Sequence, residues 1–148
     1  MEGYGFPKRD PEKCVGCYAC MSVCPDEVIL VDDIKDKRVY SALHWDCMNC
    51  RKCEEVCPHE ALKIVPGFEF KSYLENTPLS DIDRPLTQCK DCGVYFAAEP
   101  HITDLTNKVS TGKLPRADVP KELMAVCPTC RRKRVAQEMQ VISVTTPL

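Results

Sequence analysis

Eight of the twelve cysteines fall into two runs of identical spacing: Cys14, Cys17, Cys20 and Cys24 followed by Pro25, and Cys47, Cys50, Cys53 and Cys57 followed by Pro58. Each run reads C-x2-C-x2-C-x3-C-P, the spacing that holds a cubane [4Fe-4S] cluster. Three thiolates at steps of three residues wrap one cluster when the loop between them folds around it. The fourth cysteine falls on the short helix that follows, points away, and ligates the other cluster. The expected ligand sets are Cys14, Cys17, Cys20 and Cys57 for one cluster, and Cys47, Cys50, Cys53 and Cys24 for the other. Pro25 and Pro58 stop the cysteine-bearing segments from running on as helix and turn the chain back.

The remaining four cysteines make two C-x2-C turns, Cys89 with Cys92 and Cys127 with Cys130, with 34 residues between the pairs. Gly93 follows the first turn and Pro128 lies inside the second. Tight turns of this kind aim backbone N–H groups at thiolates while four sulfurs close a tetrahedron, which makes the set a candidate structural zinc site with no open position for water. Iron in the same tetrahedron would be a one-electron centre. The long intervening segment favours zinc.

A disulfide framework is the competing reading of so many cysteines. Against it, the chain begins without a basic region followed by an apolar stretch, so no signal peptide is expected. The cysteines are also clustered, and one four-cysteine pattern repeats with a strict offset, 14, 17, 20 and 24 becoming 47, 50, 53 and 57. A reduced, intracellular chain is expected.

Stepping out from the ligands, the elements that must position them are short. Residues 1 to 13 read as an entry strand and loop, Val28–Val31 and Arg38–Leu43 as a hairpin, and Ala61–Val65 as the strand that matches Val28–Val31 one repeat later. The predicted class is α+β: a pseudo-twofold unit with two clusters inside it over residues 1–66, a connector over 67–88, and a small zinc-ribbon-like lobe over 89–148. In that lobe a helix is expected from His101 to Ser110, Gly112 and Pro115 as breakers, a second short helix near Lys121–Val126, and a closing strand at Val141–Thr145. Lobes this small rarely build a sufficient apolar core, so metal is expected to supply much of the folding energy. No apolar run is long enough to cross a bilayer.

The formal charge of −2 leaves the thiols neutral; with three metal sites loaded it falls to about −8, because ligating thiols are deprotonated. That balance argues against nucleic acid as a partner, although Arg131–Arg134 is a basic run. His44, His59 and His101 read as structural, since the cysteine sets are complete. Arg51 and Lys52 sit in the second cluster loop, where positive charge favours the reduced cluster, so the cluster of Cys47, Cys50 and Cys53 is expected to have the higher potential. The sequence contains no nucleophile–base arrangement, phosphate loop or nicotinamide fingerprint.

The order of two cluster runs, then Cys89 to Gly93, then Cys127 to Arg134, resembles the ferredoxin-type small subunit of formate hydrogenlyase and related membrane-bound nickel–iron hydrogenases. Leu43 to Cys47 and Cys53 to Pro58 look like that family's second cluster loop. The resemblance implies an electron-relay subunit that does no bond chemistry itself, with two [4Fe-4S] clusters and one Zn2+. Its partners would be the other subunits of a hydrogenase or formate hydrogenlyase complex, above all an adjacent iron–sulfur-carrying one. The chain would be cytoplasmic and peripheral to the inner membrane through those partners. A free ferredoxin with an accessory zinc domain, and a redox-sensing regulator that binds nucleic acid, are the alternatives.

Overall fold

The structure, a computed structural model, describes residues 4–112 and 120–145. Pro115 and the extreme ends of the chain lie outside these. The chain divides into two compact units, Met1–Pro85 and Leu86–Leu148, and its class is α+β as predicted.

The first unit contains β1 (Gly5–Arg9), α1 (Ala19–Val23), β2 (Ile29–Ile34), β3 (Lys37–Ala42), α2 (Lys52–Glu55), β4 (Leu62–Pro66), α3 (Phe70–Leu74) and most of β5 (Leu79–Gln88). Strand β1 pairs antiparallel with β4, placing Arg9 opposite Leu62, and β2 pairs antiparallel with β3, placing Ile29 opposite Ala42. Both pairings respect the offset of the cysteine runs, since positions 9 and 29 become 42 and 62. The backbone repeats as well. Gly16, Tyr18 and Glu27 have positive φ, and so do Asn49, Arg51 and Glu60 at the corresponding places. Left-handed residues alternating with ordinary ones curl a loop so that successive N–H groups face inward, which is how each three-cysteine segment becomes concave.

The core of this unit is Val28, Ile29, Cys53 and Leu62, with Cys20, Cys24, Cys47, Cys57, Val23, Val31, Leu43 and Ile64 packed against it. Five of these twelve side chains are thiols, so the apolar centre and the metal-binding surface are one structure.

The connector expected over residues 67–88 is instead structured. It contains α3 and the ten-residue β5, whose first part pairs antiparallel with β3 from Leu79 opposite Ala42 to Pro85 opposite Lys37. Residues Leu79 to Gln88 lack an apolar alternation because their inward positions are polar: Asp81 binds Arg9 and Arg84 binds the first cysteine loop. Pro85, which argues against a central strand, stands at the last β3 pairing, where the missing N–H costs little.

In the second unit the end of β5 pairs with β6 (Tyr95–Ala98). Helix α4 (Glu99–Ser110), a 3-10 turn at Lys121–Ala125 and α5 (Pro128–Thr145) follow. The expected closing strand at Val141–Thr145 is helix. Proline at the first helical position starts α5 favourably, good helix formers fill its first three turns, and propagation adds one hydrogen bond per residue, enough to carry a β-branched tail whose strand preference depends on having neighbours to pair with.

Candidate metal centres

The cysteine loops close around two cavities. Cys14, Cys17, Cys20 and Cys57 line one, together with Arg9, Tyr18, Tyr40 and His59. Cys24, Cys47, Cys50 and Cys53 line the other, with Pro7, Asp26, Arg51 and Lys52. Each cavity thus takes three thiols from its own loop and one from the far end of the other repeat. The crossing follows from the short helices. Cys24 caps α1 and Cys57 lies just past α2, and each extends into the shared core beside the opposite loop.

Burial pushes the thiols of Cys14, Cys47 and Cys53 above the ordinary range, Cys53 to about 11. Protons therefore occupy these sulfurs until a cation displaces them. Hydrogen bonds already aim at the sulfurs: the N–H of Ala61 donates to Cys57 Sγ at 3.2 Å, and the Nη2 of Arg9 donates to Cys20 Sγ at 3.2 Å. Eight sulfurs in two sets of four, each in a concave and largely apolar wall, fit cubane clusters in the chemistry of their donors.

Arginines tie the first loop to the scaffold. Arg38, 2% exposed, forms a forked pair with Asp33 at 2.7 and 2.9 Å, donates to the carbonyl of Gly16, and lays its guanidinium over the Tyr18 ring at 3.9 Å. Arg84 donates to the carbonyl oxygens of Cys14, at 2.8 Å, and of Pro11. Spacing alone did not point to Arg9, Arg38, Arg84 or Tyr40. The available signal was Arg9 standing five residues before Cys14 where Ala42 stands five before Cys47.

The histidines differ from one another. His44 is buried, accepts a hydrogen bond from the Glu69 N–H at 3.1 Å through Nε2, and sits among the rings of Phe6, Trp45 and Phe68. It is structural. His59 lines the first cavity.

In the second unit Cys89, Cys92, Cys127 and Cys130 place their sulfurs within 4.8 Å of one another, with Cys92 exposed and the other three buried. Their lining is Val126 and Phe96. The N–H of Cys127 donates to Cys89 Sγ at 3.2 Å and holds that thiol below its usual range, while hydrogen bonding to Cys92 first, and then burial, push Cys130 up. Gly93, at φ 73°, makes the turn after Cys92, a conformation that side chains disfavour. The basic run is partly absorbed here. Arg131 donates to the Val126 carbonyl at 2.7 Å, and Arg134 forms a forked pair with Asp91 inside the first turn.

Two cavities each walled by four thiols on a twofold-repeated frame give the first unit the arrangement of a dicluster ferredoxin domain. Residues 6–58, which carry both cysteine runs, match the 4Fe-4S dicluster domain family. Over nearly its whole length the chain is also similar to formate hydrogenlyase subunit 6 of Escherichia coli (strain K12), with 27% identity over 146 residues that cover 95% of this chain and 79% of that protein. No helix among the described residues is long and apolar enough to cross a membrane.

Proposed function

We propose that the chain is the electron-relay subunit of a multisubunit oxidoreductase, a formate hydrogenlyase or a membrane-bound nickel–iron hydrogenase. One [4Fe-4S] cluster is held by Cys14, Cys17, Cys20 and Cys57, a second by Cys47, Cys50, Cys53 and Cys24, and a structural zinc by Cys89, Cys92, Cys127 and Cys130. The observation that carries this reading is the pair of four-thiol cavities whose walls share one core: Cys20, Cys24, Cys53 and Cys57 all pack in the same cluster of side chains. Sites joined in that way favour passage of single electrons between them. With four sulfurs per cluster no iron coordination position is left for a substrate, so the chain relays and leaves bond chemistry to its partners. Similarity to a formate hydrogenlyase subunit supports the assignment of the complex.

Partner subunits would place the protein at the cytoplasmic face of the membrane, with residues 1–66 as the cluster domain and 89–148 as the zinc domain. The test is isolation of the native assembly from anaerobically grown cells, with metals counted by mass spectrometry. About eight iron and one zinc per chain, co-purifying with nickel and hydrogenase-like membrane subunits, is the expected outcome. A lone chain with the same metals would make it a free carrier, and nine iron without zinc would turn the second unit into a third redox centre.

A further inference from the structure

The two cavities are related by the repeat, but their non-cysteine walls are not alike. Arg9 enters the first cavity, and its counterpart 33 residues on is Ala42. Tyr40 enters the first cavity from β3, and its counterpart is Pro7, which lines the second. Where the first cavity has His59 the second has Asp26. Arg9, Tyr40 and His59 thus line one site, while at the other a proline and a carboxylate stand in place of Tyr40 and His59, and Ala42, the counterpart of Arg9, does not reach the wall.

Both donors are deep. Arg9 is 3% exposed and fixed by Asp81, which accepts from its Nη1 at 2.8 Å and from its backbone N–H at 2.9 Å, so that Nη2 is left pointing at Cys20 Sγ. The guanidinium lies over the Tyr40 ring, 4.6 Å from its centroid. Tyr40 is 1% exposed, and its hydroxyl has no hydrogen-bond partner within the protein. A buried phenol hydroxyl normally has one, and Tyr40 lines the same cavity as Cys14 and Cys20. By contrast Arg51 and Lys52 at the second site are exposed, where water and salt screen them.

We propose that Arg9, which donates to Cys20 Sγ, and Tyr40, whose unpartnered hydroxyl at the same cavity would find its acceptor on the bound cluster, make the cluster at Cys14, Cys17, Cys20 and Cys57 the more easily reduced of the two. This reverses the ordering expected from Arg51 and Lys52, and it rests on the reading of the cavities as cluster sites. Reduction adds one electron and changes the cluster from 2+ to 1+, with no bond made or broken. The extra negative charge on the sulfurs strengthens hydrogen bonds from buried donors, and hydrogen bonding to the sulfurs is a principal control of cluster potential. An electron entering at either end would come to rest at the Arg9 site.

The experiment is an anaerobic reductive titration of the holo-protein with dithionite and mediators, followed by electron paramagnetic resonance, with iron and sulfide assayed on each sample. The double variant Arg9→Gln/Asp81→Asn removes the cation without stranding its carboxylate. Tyr40→Phe removes one oxygen that has no protein partner, so the fold is left intact. Both are expected to lower the higher of the two midpoints and leave the lower one in place. For Arg9→Gln/Asp81→Asn the loss of preference should be about tenfold, which for one electron is 59 mV. Arg51→Gln/Lys52→Gln should leave the higher midpoint where it was. If the Arg9 and Tyr40 variants shift neither midpoint, or shift the lower one, the proposal is overturned. Native protein with far fewer than eight iron would instead overturn the cluster reading itself.

Discussion

The charged residues buried around the first cysteine loop act through geometry more than through number. Arg38 illustrates this: its fork is matched to Asp33, its plane covers Tyr18, and its remaining N–H reaches Gly16, so one side chain joins the β2–β3 hairpin to two left-handed positions of the loop. Arg38→Met keeps the aliphatic bulk but loses the charged hydrogen bonds. It is expected to lower stability by about 2–3 kcal/mol, less than for a fully buried pair because Asp33 remains partly in water. Arg38→Lys restores the charge without the fork and should recover less than half of that. Urea unfolding under argon, followed by the visible absorbance of the clusters, reads both; an unchanged midpoint for Arg38→Met would remove Arg38 from the support of the loop. At this scale the sequence marked the cysteines and the loop residues between them, such as Arg51 and Lys52, and gave little sign of neighbours that arrive from elsewhere. A ligand must sit at a fixed spacing, but Arg9, Tyr40 and Arg84 reach their targets across strands, and the residue gap between Arg84 and Cys14 leaves no local trace.

At the scale of elements the legible features were those whose period or punctuation is local. The hairpin β2–β3, strand β4 and helix α4 lie within a few residues of their expected positions, because apolar runs and turn residues mark them. Strand β5 escaped because it is held by β3 and by polar side chains, and the end of α5 escaped because a helix once started runs through residues that prefer strands. The second unit shows what such short elements need. Among its described residues the buried side chains are few, and three of its cysteines are among them. We therefore expect the four-thiol metal to hold β6, α4 and the start of α5 together. Cys127→Ser should reduce the count to eight iron and no zinc, leave the visible spectrum of the clusters unchanged, and lose helical circular dichroism from α4 and α5. Retention of one zinc with unchanged circular dichroism would show that the four thiols do not form the site.

Over the molecule as a whole, the offset that relates the cysteine runs also relates the strand pairs, the left-handed residues and the two cavities, so the first unit is one motif used twice with its last cysteine exchanged. Exchange makes each repeat incomplete alone: α1 brings Cys24 to the wall formed by Cys47, Cys50 and Cys53, and α2 leads Cys57 to the wall formed by Cys14, Cys17 and Cys20. The sequence carried this symmetry in full, because a repeat is visible without any knowledge of packing. What it did not carry was the departure from symmetry, which depends on side chains such as Arg9 and Tyr40 that arrive from different strands. Crossed ligation has a consequence that uncrossed ligation lacks. Single Cys→Ser variants should fall into two groups by the cluster they disturb, with Cys24→Ser behaving like Cys50→Ser, and Cys57→Ser like Cys17→Ser. Paramagnetic resonance of the reduced variants distinguishes the groups, because the cluster left intact keeps its native signal. Were Cys24→Ser to preserve the same signal as Cys17→Ser, each run would serve its own cluster and the two repeats would be joined only by packing. Agreement with the crossed grouping would mean that neither cluster can be lost without disturbing the helix that helps to hold the other, so the two sites are fixed in separation and orientation by the ligands themselves. The proposed relay requires such fixed spacing between its sites, and crossed ligation would let the thiols that hold the clusters set it.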